Sequence, residues 1–285
     1  MVLSKYTADQ NIATVTSHGP TVYNLGNITW VLVSAGLVFL MVPGIAFFYS
    51  GLLRRKNALT MLAMLMAVMA VASIEWFFWG FSLSFSEGAS SFIGDLKHFG
   101  LMHVDMDVAT GGSTIPQLVY CVYQMMFAAL TPAIACGAFA DRARMGPVLL
   151  FTFCWSTIVY NPIACWTWNV DHGWSEKLGN LDYAGGTPVH ISSGTAALVI
   201  SLYLGRRRGY GTEALTSRPH NITYVVLATL RWSFGWFGFN GGSGIGANLR
   251  AAQAIMVTHI AACVAGITCK LLDYPLEHKG AAVAV

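Results

Sequence analysis

The side chains best suited to chemistry lie in stretches that are otherwise apolar. His190 falls within Asp182-Tyr183-Ala184-Gly185-Gly186-Thr187-Pro188-Val189-His190-Ile191-Ser192-Ser193-Gly194. Pro188 can open a helix there at low cost, because the N–H it lacks would be unpaired in a first turn anyway. His190 then sits a turn or less inside that helix. A neutral imidazole donates at one nitrogen and accepts at the other. It can line a narrow pore and pass a proton, or it can simply bond to a neighbouring helix. Trp168, and Phe239 in Gly235-Trp236-Phe237-Gly238-Phe239-Asn240, offer ring faces over which a cation gains about 0.5–2 kcal/mol each. The same rings would suit an ordinary aromatic belt at a membrane interface. Gly44, Ser192-Ser193-Gly194 and Gly241-Gly242-Ser243-Gly244-Ile245-Gly246 are small residues that let helices approach closely. A hydroxyl such as Ser243 could also accept a hydrogen bond from a bound donor. Glu75 and Arg231 stand in mid-segment, where an unpaired charge costs about 2.5–3.5 kcal/mol, and are expected to pair with one another.

A Ser/His/Asp set can be written from Ser192, His190 and Asp182. Yet Asp182 is expected outside the membrane, and nothing resembles a nucleophile elbow or a metal-binding HExxH. The chain is not read as an enzyme, and neither metal nor cofactor is expected. Its six cysteines lie in apolar segments without CxxC spacing and are read as buried small hydrophobes.

The elements that position these residues follow from composition. The chain is 55% hydrophobic and only 10% charged, with a mean hydropathy of +0.56. Soluble domains carry about 25% charged residues. An ordinary soluble globule and a disordered chain are therefore excluded, and lipid is the expected solvent. A net charge of +3 is too small for a nucleic-acid binder. A spanning helix needs about 20 mostly apolar residues. Seven segments qualify, at roughly Ile28–Tyr49, Ala58–Phe85, Ile115–Ala140, Pro147–Trp168, Pro188–Leu204, Ile222–Asn240 and Ala251–Leu272. The expected fold is an all-α polytopic membrane protein. The polar stretch 1–27 is an extracellular segment without the form of a signal peptide. Residues 28–275 form the membrane domain, and 276–285 are a tail or the start of an eighth helix.

Charge sets the orientation. Arg54-Arg55-Lys56, Arg142, Arg144, Arg206-Arg207-Arg208, Arg218, Lys270 and Lys279 fall on one side of the alternating spans. Most acids, including Glu87, Asp95, Asp171 and Asp182, fall on the other. Cytoplasmic loops carry the Lys/Arg excess, so the N-terminus is expected outside and the C-terminus inside. The long external loops Glu87–Thr114 and Asn169–Thr187 are expected to form a structured outer cap. Of two sequons, Asn27 abuts the first helix and Asn221 faces inside, so neither is a good glycan acceptor.

These segments resemble the ammonium transporter family, most closely its fungal-type members. The resemblance rests on Val42-Pro43-Gly44-Ile45-Ala46-Phe47-Phe48-Tyr49-Ser50-Gly51-Leu52 with the following Arg-Arg-Lys-Asn, on Asp182 to His190, and on Gly235 to Ser243. It runs from about Tyr23 to the C-terminus. It implies that Trp168 and Ser243, with Phe127 beside them, form an outer substrate-binding site for ammonium or methylammonium. Phe127 and Phe239 would be stacked gate rings below it, His190 a pore histidine, and Asp182 a structural support bonded to local backbone. It further implies a homotrimer in the plasma membrane, with one pore per subunit. The chemistry fits: an aromatic cage with a hydroxyl suits a donor cation, whereas a dry channel passes neutral ammonia far more cheaply than an ion.

The same resemblance carries departures. The family builds about eleven spans as two five-helix inverted repeats and a final helix. This chain would hold the first repeat and the start of the second, and the family's second pore histidine lies beyond Val285. His259 does not match that histidine by its surroundings. Arg231 stands where the family has an apolar residue, and Glu75 where fungal relatives usually have an uncharged one. A second reading therefore stays open: a non-transporting partner in a mixed trimer with family members, or an ammonium sensor.

Overall fold

The computed structural model describes residues 5–6, 11–16, 19–109, 114–207, 209–212 and 219–277, the first twenty and 273–277 by backbone alone. Arg208, Arg218, Lys279 and the 278–285 segment lie outside the described residues. Ahead of the bundle, β1 (Lys5–Tyr6), β2 (Asn11–Thr16) and β3 (Gly19–Asn24) form an antiparallel meander that the all-α reading did not include. The Tyr23 hydroxyl donates to the carbonyl of Met106 in the loop ahead of α5 (Gln117–Ala135), which clips β3 to that loop.

The helices α1 (Leu25–Phe39) and α2 (Met41–Leu52) form one span, interrupted at Leu40. Asn24 caps it, its side chain accepting from the Asn27 N–H at 3.0 Å. The second span joins α3 (Arg55–Glu75), a wide π turn at Trp76–Gly80, and α4 (Phe81–Phe85). The third is α5 (Gln117–Ala135) with a tighter turn to Phe139. The fourth joins α6 (Met145–Trp155), a π turn at Ser156–Tyr160, and α7 (Asn161–Trp168). After the short α8 (Trp174–Lys177) comes a π turn at Gly186–Ile191 leading into α9 (Ser192–Leu204). The last two helices are α10 (Ile222–Gly242) and α11 (Leu249–Glu277).

All seven expected segments are helical, with ends shifted by a few residues. Six are long and apolar enough to cross a membrane. The exception is α10, which has the length, 21 residues, but carries Arg231 and several polar residues. It packs against α1 and α2 through small residues. A Cβ at Gly235 would lie 2.8 Å from the Leu37 carbonyl oxygen, and one at Gly238 would lie 2.7 Å from that of Ser34. No side chain fits at those contacts, so backbones meet directly.

Two expectations are corrected. Glu75 does not pair with Arg231. Its Oε1 accepts from Asn161 Nδ2 at 2.6 Å and from Thr157 Oγ1 at 3.0 Å, while the Arg231 guanidinium lies 5.5 Å from the ring centre of Phe47. Glu75 is fully buried between the second and fourth spans, and Arg231 belongs to a helix that packs elsewhere. Nor are all six cysteines buried. Cys121, Cys136 and Cys165 are, but Cys154 on α6 and Cys263 and Cys269 on α11 are exposed.

The described parts of the 87–114 and 169–187 loops belong to a bonded cap at one end of the bundle. Asn169 Nδ2 donates to the Ser84 and Ser86 carbonyls, and Trp166 Nε1 donates to that of Phe92 at 2.7 Å. Lys97 Nζ lies 2.6 Å from Glu87 Oε2. At the opposite end, Asp141 collects Asn57 Nδ2 at 2.9 Å and Arg207 Nη1 at 2.5 Å, tying the first turn of α3 to two inter-helix loops.

Candidate functional site: an aromatic pathway along α5 and α10

Asp182 organises the approach. Its Oδ1 accepts from the N–H groups of Gly185 (2.6 Å) and Gly186 (3.0 Å), and its Oδ2 from that of Thr187 (2.6 Å). Three charge-assisted bonds fold the chain into the π turn that carries His190. Gly185 adopts φ +104°, and a Cβ there would lie 2.7 Å from Val189 Cγ2, so only glycine serves. The His190 N–H then bonds the Gly185 carbonyl at 3.0 Å. Trp168 Nε1 donates to the Asp182 carbonyl at 3.1 Å, which ties the end of α7 to the same turn.

These bonds set up a line of rings. Phe127 of α5 meets Trp168 edge-on, with centroids 5.8 Å apart and an interplanar angle of 89°. Phe127 and Phe239 lie at 4.4 Å and 36°. Phe239 meets the His190 ring at 5.7 Å, and Trp236 stacks on that imidazole at 5.8 Å and 16°. Phe127 and Phe239 are both 1% exposed, whereas His190 is exposed.

Above the phenylalanine pair opens a cavity of about 400 Å³, lined by Tyr123, Phe127, Trp168, Asp182, Ser243 and Arg250 among others. Ser243 Oγ donates to the Phe239 carbonyl at 2.7 Å. A second cavity, of about 350 Å³, lies further toward the start of α10 between Ile45, Tyr49, Ile134 and Trp232. Trp232 contacts Trp236 at 5.5 Å, so this cavity continues the line beyond His190.

The geometry therefore brings Trp168, Phe127, Ser243, Phe239 and His190 together, with Asp182 beneath the turn. Ser192 Oγ donates to the Pro188 carbonyl, and the Asp182 carboxylate is held by backbone. Neither is arranged around His190 as a hydrolytic triad would require. Among the described residues no three His, Cys, Asp or Glu side chains gather as a metal site. Sequence reading missed Tyr123. Its signal was its spacing, one turn before Phe127 on the same helix face.

The profile described as the Ammonium Transporter Family matches residues 29–284. The chain belongs to the ammonium transporter family. It is 52% identical over 252 residues to Ammonium transporter 1 of Schizosaccharomyces pombe, covering 88% of this chain and 50% of that protein. It is 46% identical over 258 residues to Ammonium transporter MEP2 of Saccharomyces cerevisiae, covering 89% of this chain and 51% of the relative. The crystal structure of Candida albicans Mep2 superposes with a TM-score of 0.83 at 40% identity, over 88% of this chain and 55% of that one. The chain thus has the ammonium transporter fold and is a polytopic membrane protein. It spans about half the length of the curated relatives it matches.

Proposed function

We propose that this chain conducts ammonium-derived substrate across the plasma membrane, with ammonium and methylammonium as its substrates. Ammonium is captured in the outer cavity, over the faces of Trp168 and Phe127 and against Ser243 Oγ. A cation gains about 0.5–2 kcal/mol over each such ring. The buried phenylalanine pair below offers no polar partner, so an ion would enter at great cost and neutral ammonia at little. His190 serves the separated species as a hydrogen-bond partner and proton relay. Asp182 acts through the backbone of its turn. The N-terminus lies outside, the C-terminus inside, and the working unit is a homotrimer or a mixed trimer with family members. The observation that carries this reading is the unbroken run of ring contacts from Trp168 to His190.

Labelled methylammonium uptake, in cells lacking their own ammonium transporters, tests it, with membrane insertion followed by a C-terminal tag. Saturable uptake that ammonium competes away, and that His190→Ala abolishes, is expected. An inserted chain without uptake would overturn transport by this chain and leave the partner or sensor role.

A further inference from the structure

We propose that Tyr123 is a positioning and specificity residue of the outer site, acting through Ser243. The inference rests on the outer-site reading above and extends it to a residue outside the ring line. Tyr123 is 1% exposed, and its ring meets Phe127 at 5.0 Å. Its Oη lies 3.0 Å from the Gly238 carbonyl oxygen, 2.9 Å from that of Phe239 and 3.3 Å from Ser243 Oγ. Gly242 makes room for it: a Cβ there would lie 2.7 Å from Tyr123 Oη and 2.8 Å from its Cε2.

The hydrogens decide what the pocket sees. Each hydroxyl has one hydrogen and two lone pairs. If Tyr123 aimed its hydrogen at Ser243 Oγ, its lone pairs would face two carbonyl oxygens at about hydrogen-bond distance, which is repulsive. The tyrosine hydrogen therefore stays on the carbonyls of α10. Ser243 has two places for its own hydrogen, the Phe239 carbonyl at 2.7 Å and Tyr123 Oη at 3.3 Å, and both lie inside the protein. Ser243 Oγ then turns only lone pairs to the cavity. That polarity suits a substrate with nothing but N–H donors. The same tyrosine anchors the last turn of α10 to α5, so Ser243 keeps its place relative to Phe127.

The test is equilibrium dialysis of labelled methylammonium against the full chain in lipid nanodiscs, which reads binding without transport. Tyr123→Phe keeps the ring and removes the hydroxyl. It should weaken binding about three- to tenfold, the range for one lost hydrogen bond. In a Ser243→Ala background the same change should alter binding less than about twofold, because the two residues act as one unit. If Tyr123→Phe does not fold, Gly242→Ala displaces the same hydroxyl and takes its place in the cycle. Equal binding by wild type and the variant overturns the proposal and leaves the outer site standing. Additive losses overturn it too, since Tyr123 would then act independently of Ser243. A wild-type chain that binds no methylammonium overturns the outer-site reading, and this inference with it.

Discussion

The rings of Phe127 and Phe239 lie 4.4 Å apart between centroids, one carried by α5 and the other by α10. Phe127 lines the cavity beside Trp168 and Ser243, and Phe239 also contacts the His190 ring. Because both are buried, Phe239→Ala should destabilise the chain by about 3–5 kcal/mol, with Phe239→Leu losing much less. Thermal unfolding in nanodiscs would show it. Equal melting points for the two variants would mean that the pair carries no packing energy.

The Asp182 turn makes a second prediction. Asp182→Asn replaces one acceptor oxygen with an amide donor that faces a backbone N–H. The loss should be about 1.5–3 kcal/mol, the range for hydrogen bonds to a charged group. Gly185→Ala should cost about 1–3 kcal/mol by backbone strain at its positive φ. If either variant unfolds like wild type, the turn is not held as described.

Glu75 provides a third. Its Oε1 takes hydrogen bonds from Asn161 and Thr157. Glu75→Gln keeps an acceptor there and removes an ionisable group from the membrane, so stability should hold or rise. Glu75→Leu orphans the Asn161 amide and should cost about 1–3 kcal/mol. Arg231→Leu should add to either change without coupling, because the two residues share no partner. A coupling above about 0.5 kcal/mol in chemical unfolding would restore the ion pair.

The cap titrates at its acid end. Burial tends to raise the Glu87 carboxyl, but the Lys97 bond and the His98 imidazole outweigh it, and the group is held below its ordinary value. A lowered folded-state value means stability that is present above the unfolded value and lost as pH falls through the folded one. Glu87 is 44% exposed, so solvent screening limits this to under about 1 kcal/mol. The melting-point gap between wild type and Glu87→Gln should therefore shrink as pH drops from 7 to below about 4. A gap independent of pH would remove Glu87 from the balance.

Much of the architecture was legible in one dimension. Apolar runs of spanning length mark seven helices, because water-to-lipid transfer depends mainly on what a segment contains. The basic residues between them suggested an orientation for the same kind of reason. The Asp182 turn was local too: an acceptor side chain, two glycines and a proline within seven residues.

Tertiary structure decided which side chains meet across helices. Glu75 and Arg231 invited pairing by their charges alone, yet Glu75 turns to Asn161, because the second span packs on the fourth and α10 packs on α1 and α2. The depth of that second contact is set by Gly235 and Gly238, and with it the reach of Tyr123 to the α10 carbonyls. Composition and spacing fix what each helix can bury. Helix rotation and backbone approach, which involve every neighbour at once, fix what each polar group finds there.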